Sequence, residues 1–221
     1  MLKQIILLAI LFIFGCATFR SEIDGEFIGD SKKNLGAEKT SVVFVMRHLR
    51  QSKGFDAIPK LDKKHQVLSG FGDILLDATN ELSNLDKFAS FTDYSTDISE
   101  PKRLALKDSL ITNHEYMIEI EIKKEWSFPK HFLGTLGSVL SATLFPIPYT
   151  INYSADVDVF DKSGLLKGNY QRKANTILWV EALLLPIYPF HTEKRKTEEI
   201  YVEFLHDIFK QIESENILSN S

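Results

Sequence analysis

The chain has almost no capacity for thiol chemistry, because only one of its 221 residues is cysteine. It therefore cannot close an internal disulfide. The chain also lacks a basic excess, since 26 Lys and Arg stand against 30 Asp and Glu, for a formal net charge of −4. A concentrated basic face is what binds a phosphate backbone, so we exclude nucleic acid as the main partner.

The N-terminal apolar stretch is too short to span a membrane. Residues 5–14 form an unbroken apolar run, whereas a helix across a bilayer core needs roughly 20 such residues. Lys3 precedes the run, and Gly15 and Cys16 end it. A short basic region, an apolar region and a small residue before the break are typical of an export signal. We therefore predict that residues 1–15 are a signal peptide.

The end of this stretch, Ile13-Phe14-Gly15-Cys16, resembles the lipobox of bacterial lipoproteins. In that family the peptide bond before the cysteine is cut and its thiol carries a diacylglyceryl group. Gly15 and the branched Ile13 fit the pattern, whereas Phe14 departs from its usual small residue. The alternative is an uncleaved N-terminal anchor with a buried cysteine.

This resemblance implies that Cys16 carries lipid, palmitate included, and that the lipid attaches the exported protein to a membrane. Several acyl chains hold a protein firmly at a bilayer. Ala17 replaces the aspartate that retains enteric lipoproteins at the inner membrane, which favours the outer membrane. The modification would also consume the only thiol, which excludes cysteine nucleophiles and thiolate metal sites. The body resembles small envelope lipoproteins, with no motif that indicates one family.

The remaining sequence predicts a tether followed by one domain. Residues 16–39 are polar and lack a sustained apolar period, so we predict a lipidated flexible tether there. Residues 40–221 form a single α+β domain in this interpretation. Its fold class is a mixed sheet of about five strands, with helices mainly on one face and a long C-terminal helix. The predicted strands are 40–48, 88–94, 116–123, 151–159 and 166–173, and the predicted helices are 67–85, 101–110 and 192–217.

Two apolar segments, 132–148 and 177–190, flank the predicted hairpin. They are either packing segments under the sheet or a patch that contacts a membrane or a partner. Aromatic and basic residues flank both segments, as is typical near lipid headgroups. The residues that we predict as membrane contacts are Trp126, Lys130, Trp179, Tyr188, Lys194, Arg195 and Lys196.

No motif in the chain supports a specific reaction. The six histidines lack the HExxH spacing of zinc proteases, and residues 134–138 lack the lysine of a P-loop. Asp156, Asp158 and Asp161 lack the glycine and distal glutamate of a calcium-binding EF-hand loop. We predict no catalytic residue, no cofactor and no metal site.

The predicted function is that of a membrane-anchored envelope lipoprotein with a non-catalytic supporting or binding role. Its partners would be the membrane, through the lipid on Cys16, and an envelope protein. The alternative is an envelope hydrolase that acts on lipid or peptidoglycan. Its active site would have to gather residues among His48, His65, Asp73, Asp93, Asp97, His114 and Asp156.

Overall fold

The computed structural model describes residues 16–29, 33–34, 36–62, 68, 70–140, 147–180 and 191–219. The strands are β1 (Cys16–Arg20), β2 (Thr40–Lys53), β3 (Pro59–Leu61), β4 (Leu85–Thr92), β5 (Tyr116–Ser127), β6 (Ile147–Asp161) and β7 (Leu166–Val180). The α-helices are α1 (Phe71–Ala78), α2 (Pro101–Thr112), α3 (Phe128–Leu140) and α4 (Glu193–Ser214). Short 3₁₀ turns cover Thr79–Glu81 and Asp97–Ser99.

Seven strands form one mixed sheet in the order β1-β7-β6-β5-β2-β3. Strand β4 pairs in parallel with Thr40–Met46 of β2, on the side that β3 occupies at Gln51–Lys53. The mixed sheet and the long C-terminal helix confirm the predicted fold class. The sheet has two more strands than expected, because β1 and β3 are short edge strands without an apolar period of their own.

Strand β2 is buried on both faces, as its continuous apolar run predicts. Val42, Phe44 and Met46 belong to the large core under α1 and α4, whereas Val43 and Val45 belong to a smaller core with residues of α2. Alternate side chains of a strand point to opposite faces. The sheet therefore separates two hydrophobic cores, and α2 covers the face opposite α1 and α4.

Helix α4 is held by its apolar stripe and by a buried ion pair. Ile200, Phe204 and Ile208 are fully buried against the sheet. The guanidinium of Arg172 on β7, which is 4% exposed, donates to the carboxylate of Asp207 on this helix. These contacts fix the helix against β7, at one side of the sheet.

The first helix of the domain is shorter than its apolar spacing predicts. It begins at Phe71, directly after Gly70, whose φ of 77° is left-handed and cannot continue a helix toward the N-terminus. Leu85, which we predicted as the last apolar residue of the helix, begins β4 instead. The helix predicted over 101–110 begins at Pro101 as expected and runs to Thr112.

Residues predicted as the start of a flexible tether form part of the body. Cys16–Arg20 pair with β7, and Ala17 and Thr18 are fully buried. The backbone N–H of Phe27 donates to the carboxylate of Asp207, at 3.1 Å from each oxygen. Main-chain hydrogen bonds hold this polar segment, and a hydropathy pattern does not report such bonds.

Candidate functional site

Cys16 lies at one end of the sheet. Its backbone pairs with Val180, the last residue of β7, and Val180 also pairs with Ile147, the first residue of β6. Strands β2 and β5 end on the same side, where Lys53 pairs with Ser127. We call this the Cys16 end of the sheet.

The backbone fixes the position of Cys16 relative to the body. The N–H of Thr18 donates to the carbonyl of His191 at 2.8 Å, immediately before α4. The Arg20 guanidinium pairs with Glu203 of α4 and lies 3.9 Å from the carboxylate of Glu199. Any group attached to Cys16 is therefore joined to the body without an intervening tether.

Helix α3, which continues directly from β5 at the Cys16 end, presents an exposed apolar surface. Phe128, Phe132, Leu133 and Leu136 of this helix and Phe55 of the β2–β3 loop are between 47% and 72% exposed. The ring centroids of Phe128 lie 6.1 Å from those of Phe55 and 6.0 Å from those of Phe132. We call these five residues the apolar patch. Contiguous apolar surface of this kind marks a binding or membrane-contacting site in soluble proteins.

One side of α3 packs on the overhanging start of β6. The ring of His131 lies 5.0 Å from that of the buried Tyr149, between centroids, and the Tyr149 hydroxyl donates to Thr135 Oγ1 at 3.2 Å. Burial lowers the pKa of His131, so its imidazole is neutral at pH 7. His131 and Thr135 thus attach this helix to the body, whereas the residues of the apolar patch are exposed.

The predicted membrane contacts that the structure describes lie around this end, but their side chains differ in exposure. Lys130 is exposed on α3. Trp126 is half-buried, with the guanidinium carbon of Arg50 4.7 Å from its ring centroid. Trp179 is half-buried on β7, opposite Ala17. Tyr188 lies outside the described residues. No helix within the described ranges is both long and apolar enough to cross a membrane.

The basic residues at the start of α4 have carboxylate partners one turn further along the same helix. Lys196 Nζ lies 2.7 Å from Glu199, Arg195 Nε lies 3.2 Å from Glu199, and Lys194 Nζ lies 3.7 Å from Glu198. These pairs explain why three cations tolerate a helix N-terminus. They also reduce the positive charge that we expected to face lipid headgroups.

A second surface feature is a charged depression of about 190 Å³ on the sheet face that α4 does not cover. Arg47 contacts Asp93 at 2.8 Å and Glu121 at 3.3 Å. Lys123, on the same face, contacts Glu121 at 2.7 Å and Asp156 at 3.2 Å. The depression therefore contains opposite charges that pair with one another.

These charged groups are held in their ionised forms. Burial opposes the ionisation of Asp93, but hydrogen bonds from Arg47 and Lys107 outweigh it and lower the pKa of that carboxyl. The hydrogen bond to Glu121 raises the pKa of Lys123. General acid–base catalysis needs a pKa near the operating pH. Both shifts move away from neutrality, which suits a structural network.

The other described residues considered for a hydrolase do not line this depression. His48 is buried, with its ring against a tyrosine of α4, and an arginine of α2 binds the buried Asp97. His114 contacts a carbonyl at the end of α2, and Asp73 is exposed on α1. His65 lies outside the described residues. Within the described ranges, no three His, Cys, Asp or Glu residues are arranged to hold a metal ion.

No family model and no curated protein matches this chain. Among solved structures, it is similar to the PelC dodecamer from Paraburkholderia phytofirmans, at 8% identity and a TM-score of 0.33 over 90% of this chain and 97% of that one. A point variant of the same dodecamer matches at 8% identity and a TM-score of 0.32, over 88% and 98% of the two chains. Similarity at this level does not indicate a function for this chain.

Sequence reasoning found part of the apolar patch. The first apolar segment, 132–148, includes Phe132, Leu133 and Leu136, whereas Phe55 and Phe128 lie outside both apolar segments. The signal was available, since Phe128, Phe132 and Leu136 recur every four residues and so share one side of a helix. The contact between α3 and the β2–β3 loop could not be foreseen, because it depends on the pairing of β2 with β5.

Proposed function

We propose that this protein is an exported lipoprotein that is anchored to an envelope membrane through lipid on Cys16 and has a non-catalytic supporting or binding role. The observation that carries the proposal is the sequence Gly15-Cys16 at the end of the apolar run 5–14. The position of Cys16 as the first residue of the edge strand β1 supports it, because a lipid on this residue would lie at the end of the sheet.

Direct detection of the lipid tests this proposal. Cells that express the full chain are grown with radiolabelled palmitate, and the N-terminal peptide of the purified protein is analysed by mass spectrometry. The expected result is an N-terminal Cys16 with a diacylglyceryl mass and incorporated label, and neither in a Cys16→Ser variant. A mature chain that begins elsewhere, or an unmodified cysteine, contradicts the proposal.

We further propose that the outer membrane is the destination, on the basis of Ala17. Density-gradient separation of the two membranes measures it, and enrichment in the inner-membrane fraction contradicts it. Ala17→Asp is an ambiguous test, because Ala17 is fully buried in β1 and a carboxylate there would weaken strand pairing. Ala17→Ser is the matched control, since it keeps the small size without adding charge.

The hydrolase alternative has less support. Among the candidate residues that the structure describes, only Asp93 and Asp156 line one depression, and each is neutralised by lysine or arginine. A supporting or binding role needs no such constellation, and it suits a body that presents an uncovered apolar surface near its anchor.

A further inference from the structure

We infer that the apolar patch is a second membrane attachment, in which helix α3 lies in the interface of the bilayer that holds the lipid of Cys16. This inference deepens the proposed function and rests on it. It also assigns one orientation to the body, with the Cys16 end of the sheet toward the membrane.

The first step is the side of α3 that faces outward. A surface helix of a soluble domain normally buries its apolar stripe. Helix α3 does the reverse, since Phe132 and Leu133 are 49% and 60% exposed while the half-buried His131 contacts Tyr149. An apolar face turned away from the core is the arrangement of helices that lie in a membrane interface.

The second step is the position of the anchor. Cys16 pairs with Val180 at the sheet end where β5 passes into α3. Strand β1 pairs with β7 over its whole length, and Arg20 joins it to α4. A lipid on Cys16 must enter the bilayer beside the residue that carries it. Because no tether intervenes, the same end of the sheet is brought to the bilayer surface.

The third step distinguishes a bilayer from other occupants of the patch. The chain that precedes Cys16 is the apolar run 5–14, so this end of the body receives a membrane-seeking group whether the run is cleaved and replaced by lipid or retained. A second copy or a partner protein could cover the patch, but nothing ties either to this end of the sheet. The bilayer is therefore the one occupant of the apolar patch that the chain itself brings to this end of the sheet.

The composition of the apolar patch predicts that docking on the membrane depends mainly on the burial of apolar side chains and little on charge. Lys130 is the exposed cation on α3, whereas Lys53 beside the patch contacts Glu125 at 2.7 Å. The cations at residues 194–196 have carboxylate partners on α4. Raising the salt from about 0.1 M to about 1 M shortens the Debye length from ~10 Å to ~3 Å. We expect docking to change little over that range.

A probe experiment on the lipidated full chain tests the inference. A thiol-reactive fluorophore is attached to Leu133→Cys, and the protein is reconstituted on vesicles of phosphatidylethanolamine and phosphatidylglycerol. The matched control is Leu165→Cys, in the β6–β7 turn at the opposite end of the sheet, because Leu133 and Leu165 are 60% and 61% exposed. Circular dichroism checks that both variants fold. The unsubstituted chain, labelled in parallel, corrects for any reaction at Cys16.

The expected result is a blue shift of the probe at residue 133 and its quenching by nitroxide-labelled lipid, with neither change at residue 165. Equal behaviour of the two probes on vesicle-bound protein overturns the inference. A probe at residue 133 that is shielded only at high protein density, without lipid quenching, also overturns it and assigns the patch to a second copy. Mass spectrometry detects the lipid on Cys16 independently of the probe. A failure of the proposed lipidation can therefore be distinguished from a failure of docking.

Discussion

The side chain of Arg172 joins β7 to helix α4 inside the protein. It is 4% exposed, donates to Asp207 and to Gln211 Oε1 at 2.5 Å, and bonds the backbone carbonyl of Gln171 at 2.9 Å. Removing one partner of a buried ion pair leaves the other charge without compensation. We predict that Arg172→Met lowers the free energy of unfolding by about 3 to 5 kcal/mol. Urea denaturation followed by circular dichroism measures this loss.

Two further variants make that prediction specific. Lys194→Gln removes an exposed cation of α4 and should change the free energy of unfolding by less than about 0.5 kcal/mol. Adding Asp207→Leu to Arg172→Met should recover part of the loss, because it removes the uncompensated carboxylate. If the single and double variants are equally unstable, packing rather than charge explains the role of Arg172.

Asp97 makes the stability of the domain depend on pH. Its side chain is 4% exposed, and the guanidinium of Arg103 contacts both carboxylate oxygens, at 2.7 and 3.0 Å. The hydrogen bond from Arg103 lowers the pKa of Asp97 below its ordinary value of 3.8. The folded state therefore gains stability from this carboxylate above pH 3.8, and that gain is lost as the pH falls through the lowered pKa.

We predict that Asp97→Asn lowers the free energy of unfolding at neutral pH by about 1.5 to 3 kcal/mol, since it removes a hydrogen bond to a charged group. The difference between the parent protein and the variant should shrink as the pH falls below about 4. Urea titrations across this pH range measure it. Asp108→Asn, an exposed change on α2, the helix that carries Arg103, should cost less than about 0.5 kcal/mol at neutral pH. A difference for Asp97→Asn that stays constant with pH would show that its ionisation is not the cause.

At the scale of elements, alanine substitutions of two glycines at the start of α1 should change the free energy of unfolding in opposite directions. Gly70 has a φ of 77°, which alanine adopts at a cost of about 1 to 2 kcal/mol. Gly72 lies inside the helix, and a Cβ there meets no atom within 4 Å. We predict that Gly70→Ala destabilises by that amount and that Gly72→Ala stabilises by about 0.5 to 1 kcal/mol. Thermal unfolding of the two variants gives the signs, and two changes in the same direction would contradict the assigned start of α1.

Two phenylalanines on different helices provide a contrast between the core and the apolar patch. Phe204 of α4 is fully buried, whereas Phe132 of α3 is 49% exposed. We predict that Phe204→Ala costs about 3 to 5 kcal/mol of unfolding free energy. Phe132→Ala should cost less than about 1 kcal/mol and should instead weaken quenching of the Leu133→Cys probe by nitroxide lipid. Comparable losses of stability would mean that α3 packs as part of the core.

The elements with a clear apolar period could be predicted from the sequence, and those held by backbone pairing could not. Strand β5 alternates from Tyr116 to Ile122, and α4 repeats its apolar residues every three or four positions, so both were found. Strand β1 reads CATFR and carries no such period. Its assignment depends on main-chain bonds to β7, which only the assembled hairpin of β6 and β7 offers.

The candidate site shows the same division. The lipobox resemblance of Cys16 is local and can be read directly from four residues. The apolar patch needs Phe55 beside Phe128. That contact follows from the parallel register between β2 and β5, which pairs residues 74 positions apart in the sequence, such as Ser52 and Trp126. Such long-range pairing is invisible to periodicity, which reports only one element at a time.

For the whole molecule, the proposed docking depends on the short connection between the lipid and the body. We predict that about twelve Gly-Ser residues inserted between Cys16 and Ala17 leave the protein on the membrane but reduce quenching of the Leu133→Cys probe. A flexible linker of that length lets the body move roughly 20 Å, which lowers the effective concentration of the patch at the bilayer.

A linker of equal length in the β6–β7 turn, after Ser163, is the control, because it lies at the far end of the sheet. It should leave the quenching unchanged. Undiminished quenching in the Cys16 linker variant would mean that the patch binds lipid strongly enough without the anchor beside it. Vesicle flotation of both variants confirms that each remains attached.

If the protein is exported as proposed, the edge strand β1 also sets an order of events on that route. Enzymes that modify Cys16 and cut before it need the surrounding segment extended in their active sites, yet Ala17 and Thr18 end fully buried against β7. The same residues cannot occupy both places, so on the proposed route β1 joins the sheet after processing. Until then the outer edge of β7 keeps unpaired N–H and C=O groups, which other chains can pair with. Slow processing would therefore prolong the period in which the long edge of β7 can pair with other chains. Maturation would end that period by pairing β7 with β1, a shorter edge strand.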